Sequence, residues 1–197
     1  MTISKAQIFN ITLNILGVST PLENANCTDN RAILLNNYYE LARDFVLKDF
    51  DWNFASAYKT LSLFEQDTPI KQFSCCYRYP NDCICAREVF KNNDSKLQKF
   101  VITSMDNGDK VILTNAQNAV LRYTRRVEKE VFFSCEFSMA LSYYLASLTS
   151  SVLTGSLQKG EMAYEKYQKL LRHSKALNAQ EGIDVIYDDN TYLEARG

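Results

Sequence analysis

Histidine is nearly missing from this 197-residue chain. The single copy, His173, is expected on the polar side of a helix, among Lys169, Arg172 and Lys175. No carboxylate stands beside it in sequence to orient an imidazole, so general-base chemistry centred on histidine is not expected. Prolines number three and glycines six, too few for long flexible linkers. A phosphate-cradling glycine loop, G-x-S-x-G and H-E-x-x-H are all absent. Net charge is −1, from 22 basic and 23 acidic side chains, which gives no global field for gripping nucleic acid or an anionic membrane. No run approaches the roughly 18 apolar residues that span a bilayer. The segment from Gln7 to Gly17 is interrupted by Asn and Thr, unlike the apolar centre of a signal peptide. A soluble chain made in a cytoplasm is the expectation, and there the glycosylation patterns at Asn10, Asn26 and Asn93 carry no meaning.

What is present is globular: 46% hydrophobic and 12% aromatic residues, enough for one domain over 1–197 with a real core. Six cysteines without a leader read as free thiols. Cys83 and Cys85, two apart on a strand, could face one ion with Cys75 or Cys76 adding a ligand. That spacing is not the usual two-to-four-residue pair and no histidine is near, so buried thiols and a metal module both stay open, with no metal assigned.

Ser4 and Gln7 form a capping box that opens a helix to Leu16, ended by Gly17. Asn26 or Thr28 can cap a second helix over about 31–48. Its broad apolar face carries Leu34, Tyr38, Leu41 and Phe45, widened by Leu35, Tyr39, Ala42 and Val46, with Arg43 and Asp44 on the polar side. At its exit Trp52, the only tryptophan, stands between Phe50 and Phe54. Residues 56–64 fit a short helix or extended chain equally. Strict alternation over 73–79 predicts a strand, Pro80-Asn81-Asp82 a turn, and 83–90 the return strand. Strands over 100–104 and 110–114 flank Asn107-Gly108, which suits a positive-φ turn, and 119–127 is a further strand. Ser134 opens a third helix with Phe137, Leu141, Tyr144, Leu148 and Val152 down one face, small residues elsewhere, and Gly155 at its end. A fourth helix covers about 157–179, with Ala163, Tyr167, Leu170, Ser174 and Leu177 inward. The tail, about 181–197, is acidic with apolar anchors.

The expected fold class is therefore α+β: a helical bundle (about 1–64 and 132–180) with a small antiparallel β lobe (about 70–127) inserted. Trp52, Phe54 and Ala55 would form a rigid joint, with Trp52 and Phe54 buried between the lobes. Arg122, Arg125 and Arg126 make a short basic strip, readable as a DNA contact or as a solvated, subunit-facing strand.

Asp51-Trp52-Asn53-Phe54-Ala55 after a helix ending in Leu16-Gly17-Val18 and a long second helix resembles the start of podovirus head-to-tail adaptors, the tail tubular protein A group. Tyr77-x-Tyr79-Pro80-x-Asp82-Cys83, Leu121-Arg122-Tyr123, Phe137-x-x-Ala140-Leu141 and Tyr192-Leu193-Glu194-Ala195-Arg196 are similar to later steps of that family, in the same order. The resemblance implies a structural virion protein that catalyses nothing and needs no cofactor. About twelve copies would form a ring beneath the portal, with helices toward the portal and strands toward the tail nozzle. Packaged DNA would pass through the channel, in the virion and without a membrane. The strip Arg122, Arg125 and Arg126 would meet DNA or nozzle, and a docking arm would carry Tyr187, Tyr192, Leu193 and Arg196. A nucleic-acid-binding module using the same three arginines is the rival reading.

Overall fold

The computed structural model describes residues 3–64, 68–91 and 96–181. The fold is α+β, with four helices and two antiparallel sheets among those residues. Helix α1 (Lys5–Ile15) starts at the Ser4 box: the Ser4 hydroxyl accepts from Gln7 N–H, and the Gln7 side chain accepts from Ser4 N–H at 2.8 Å. Helix α2 (Asn30–Asp49) is capped by Asp29, not by Asn26 or Thr28. The Asp29 carboxylate takes the Arg31 N–H at 2.8 Å and then clamps the Arg31 guanidinium. These bonds hold its pKa down to about 2.

The buried arc of α2 is turned about one position from the expected one. Leu35, Tyr39, Ala42, Arg43, Val46 and Leu47 face inward, while Leu41 and Phe45 are 67% and 41% exposed. An apolar arc of eight residues is wider than the neighbouring helices can cover, so packing selects one side of it. Arg43 is buried because its guanidinium reaches Asp44 at 3.0 Å.

Helix α3 (Cys135–Thr154) begins with the Ser134 hydroxyl accepting from Phe137 N–H, and ends at Gly155 with φ +68°. Phe137, Leu141 and Leu145 of the expected apolar face are fully buried, but Val152 is 69% exposed, and the small side is buried as well, at Ser138, Ser142, Ala146, Thr149 and Ser150. Small residues let α1 and helix α4 (Leu157–Glu181) approach closely. A Cβ on Gly160 would overlap Ser150 Oγ and sit 3.1 Å from the Ser147 carbonyl. Inward on α4 are Ala163, Tyr167 and Ser174, with Leu170 half-buried.

Between the helices run β1 (Ser56–Thr60), β2 (Cys75–Arg78), β3 (Cys83–Lys91), β4 (Leu97–Gln98), β5 (Phe100–Ser104), β6 (Lys110–Thr114) and β7 (Ala119–Arg125). Residues 56–60 are thus strand, not helix. One sheet has the order β1-β7-β3-β4 and the other β2-β6-β5. The stretch expected as a return strand to β2 instead pairs with β7, while β2 pairs with β6. Cys76 and Tyr77 explain this, since neighbouring residues are both buried and β2 therefore needs cover on both faces. Tyr77 and Ile112 pack toward Val89, Leu121 and Tyr123 of the other sheet, whereas Cys76, Val111 and Leu113 pack under Phe73. The β5–β6 turn has Gly108 at φ +87°, as the Asn-Gly pair predicts.

No helix is long and apolar enough to cross a membrane among the described residues.

Candidate functional site

The last four carbonyls of a helix lack intrahelical partners, and at the end of α2 two different parts of the chain supply them. Phe50 breaks the helix with extended backbone, and a single 3-10 turn (Asn53–Ala55) folds the chain back. This returns Trp52 onto the helix end, where its indole N–H donates to the Val46 carbonyl at 2.8 Å. The ring is 4% exposed, edge-on to Phe137 at 5.3 Å and beside Phe50 at 4.6 Å. Phe54 is half-buried against Phe137 and Phe133, and Ala55 is fully buried. The three residues do gather, but in the helical core against the start of α3. Among the described residues of the β lobe, Ile84 and Val127 reach that cluster.

The seam between the lobes is polar instead. Strand β3 bulges between Ala86 and Glu88, so Arg87 is an extra residue with no Cα partner on β7. Its Nη2 donates to the carbonyls of Lys48 and Phe50, 2.9 Å each, and its Nε donates to Thr124 Oγ1 at 2.9 Å. A β-lobe guanidinium thereby caps a helix of the other lobe. Asp51 lies 3.8 Å from Arg87 and accepts from Arg122 Nη1 at 2.7 Å. Arg122 Nε donates to Glu88 at 2.7 Å. The hydrogen bond to Glu88 and the one to Asp51 hold the Arg122 pKa above its ordinary value against burial.

These contacts correct the expected basic strip. Arg122 is spent on Asp51 and Glu88, and Arg126 pairs with Asp44 of α2 at 3.0 Å with 45% of its side chain still exposed. Arg125 is exposed and has no carboxylate within ion-pair distance among the described residues. Three cations in a row along a groove of DNA are not what the strand presents. Arg87 escaped sequence reasoning because a bulge leaves no mark in an alternation count. The carboxylates Asp44 and Asp51 flanking the helix exit were the only hint of a cationic partner.

The thiols are dispersed. Cys75 borders the core between the sheets and Cys76 the smaller core under Phe73. A register shift separates Cys83 from Cys85. Burial pushes the Cys83 thiol up to about 11, with its hydrogen bond to Tyr79 opposing the rise. All six cysteines are free, and no three His, Cys, Asp or Glu residues gather into a possible metal site among the described residues. His173 is exposed on α4. Tyr187, Tyr192, Leu193 and Arg196 of the expected docking arm lie outside the described residues.

Two surface depressions are formed by described residues alone. One, of about 400 Å³, lies between Ile33, Leu34 and Asn37 of α2 and Val152 and Leu153 of α3. The other, of about 260 Å³, is formed by Arg125 to Lys129 together with Phe132. No protein-family model and no curated protein matches the chain.

Proposed function

We propose that the chain is a structural protein, a ring-forming head-to-tail connector of a short-tailed phage that joins portal to tail nozzle and continues the DNA channel. The observation that carries this reading is the ordered set of family-like motifs, from Asp51–Ala55 through Tyr77–Cys83 and Phe137–Leu141. In the fold these stretches are the exit of α2, the passage between the two sheets and the start of α3.

The mechanics suit a static load-bearing part. Arg87 and Arg122 tie the lobes at several points, so the two ends of the subunit keep one angle. Both ends expose apolar side chains: Leu41, Phe45 and Val152 on the helical lobe, and Tyr58, Leu97, Val101 and Ile102 on the β lobe. A closed ring uses two different surfaces of this kind, because each copy must meet a different face of the next. Leu41, Phe45 and Val152 occur along α2 and α3, so uncovered apolar area is available for a neighbour or for the portal.

The test is reconstitution. Purified chain mixed with the portal protein of the same phage and viewed by negative-stain electron microscopy is expected to show rings capping the portal. Repeated absence of rings and of portal binding over a range of concentrations would sink the proposal.

A further inference from the structure

The groove at the exit of β7 has an unusual lining. Arg125, Arg126 and Lys129 are all exposed, as is Phe132, and Val131 beside it is 52% exposed. Arg126 shares its charge with Asp44, and Glu128 is the one carboxylate in the lining. Arg125 and Lys129 have no carboxylate within ion-pair distance among the described residues. At about 260 Å³ the groove is below the roughly 300–1,000 Å³ of small-molecule pockets, so it suits a side chain rather than a metabolite. A nucleic acid backbone would gain from the cations but would leave Phe132 and Val131 uncovered. A peptide that alternates carboxylates with apolar residues matches both halves of the lining.

The chain carries such a peptide. Residues 182–197 hold Asp184, Asp188, Asp189 and Glu194 against Arg196 alone, interleaved with Tyr187, Tyr192 and Leu193. Reach is adequate. Tyr144 packs on Tyr167 and Gly160 abuts Ser147 and Ser150, so α3 and α4 are antiparallel. Tyr144 lies nine residues after the start of α3 at Cys135, and Tyr167 fourteen before the end of α4 at Glu181. Helix α4 therefore overshoots the start of α3 by about five residues, roughly 8 Å. That is the end of the bundle where the single 3-10 turn Glu130–Phe132 leads from the groove into α3. Sixteen residues beyond Glu181 can span roughly 50 Å when extended.

We propose that this groove receives the chain's own acidic segment 182–197. Carboxylates settle on Arg125 and Lys129, and one tyrosine covers Phe132 and Val131. The contact is intramolecular.

Chymotrypsin cleavage after Tyr187 and Tyr192 in the full-length chain, followed by mass spectrometry, reads the docked fraction, because cleavage follows the population of the open form. The double variant Arg125→Glu, Lys129→Glu is expected to speed cleavage about tenfold with an unchanged circular dichroism spectrum. Adding Asp188→Lys and Asp189→Lys is expected to slow it again. Equal cleavage rates in all three proteins would overturn the proposal. So would protection that grows with protein concentration, or short duplex DNA bound through the same two cations while cleavage stays unmoved.

Discussion

Short hydroxyls along α1 and α3 make up most of the polar groups the helical lobe buries, joined by the phenols of Tyr39 and Tyr167 and by Arg43, whereas the β lobe buries Tyr77 and Tyr123 with Thr114 and Thr124. Thr12, Ser142 and Thr149 each donate to the carbonyl four residues back, at 2.8–2.9 Å, so each hydroxyl is satisfied within its own helix. Nothing projects, and the helices close to backbone contact at Gly160. In the β lobe Tyr77 donates to the Ala116 carbonyl at 2.7 Å, and Tyr123 donates to Asp82 at 3.0 Å. Those bonds link elements far apart in sequence. The helical lobe uses both devices, since Tyr39 donates to Glu130 at 2.9 Å and Tyr167 to Asp49 at 2.6 Å, while the close backbone approach at Gly160 belongs to the helices. Where the lobes meet, neither device is used, and guanidinium groups from β3 and β7 bond the end of α2.

The largest break in this comparison is Trp52→Ala. It should cost about 3–5 kcal/mol, as large aromatic truncations in cores do. Urea unfolding followed by far-ultraviolet circular dichroism would read it, and a loss below about 1 kcal/mol would show that the ring is not part of the helical core.

Gly160→Leu is next. Leucine is the better helix former, so any destabilisation must come from the α3–α4 contact. A loss of about 1–3 kcal/mol is expected from overpacking, with Glu161→Leu on the exposed side of α4 as the neutral control.

Arg87→Met sharpens the seam. It removes two donors from the carbonyls of Lys48 and Phe50, and partial solvent access there limits the loss to about 1–2 kcal/mol. Unfolding monitored by tryptophan fluorescence for the helical lobe and by amide exchange for the strands should coincide in the parent and separate in the variant. Transitions that stay coincident would show that the seam is not what couples the lobes.

The last comparison is in pH dependence. The folded Cys83 thiol ionises near 11 and the unfolded one near 9.0, so the neutral form favours folding. Its contribution is complete below pH 9 and is lost as pH rises toward 11. Tyr123, pushed up to about 12 by burial first and then by Asp82, adds a loss that begins near pH 10. Denaturant midpoints measured across pH 8–11 should fall in the parent from about pH 9, and less steeply between pH 9 and 11 in Cys83→Ala, where the Cys76 thiol, also raised by burial, still contributes.

Much of this architecture was legible. β5 and β6 fall at residues 100–104 and 110–114 because Asn107-Gly108 between them supplies the positive φ that a tight hairpin turn needs. Ser4, Ser134 and Gly155 marked helix ends because orphan backbone groups demand those side chains or that φ. Helix faces were less legible. On α2, Leu34, Leu35, Tyr38, Tyr39, Leu41 and Ala42 fill so wide an arc that periodicity could not choose its centre. Strand partners were not legible either, since β2 and β3 adjoin in sequence yet lie in different sheets.

The sequence by itself determined the α+β class, the helix starts, the strand alternation and the aromatic exit of α2, because each follows from local backbone needs. Only the tertiary structure decided that Trp52 belongs to the helical core and that Arg87 leaves its strand to cap α2. It alone decided that Arg122 answers to Asp51 and Glu88, and that Arg126, still exposed, pairs with Asp44. Those are choices among partners distant in the chain, and a bulge or a shifted helix face settles them through packing.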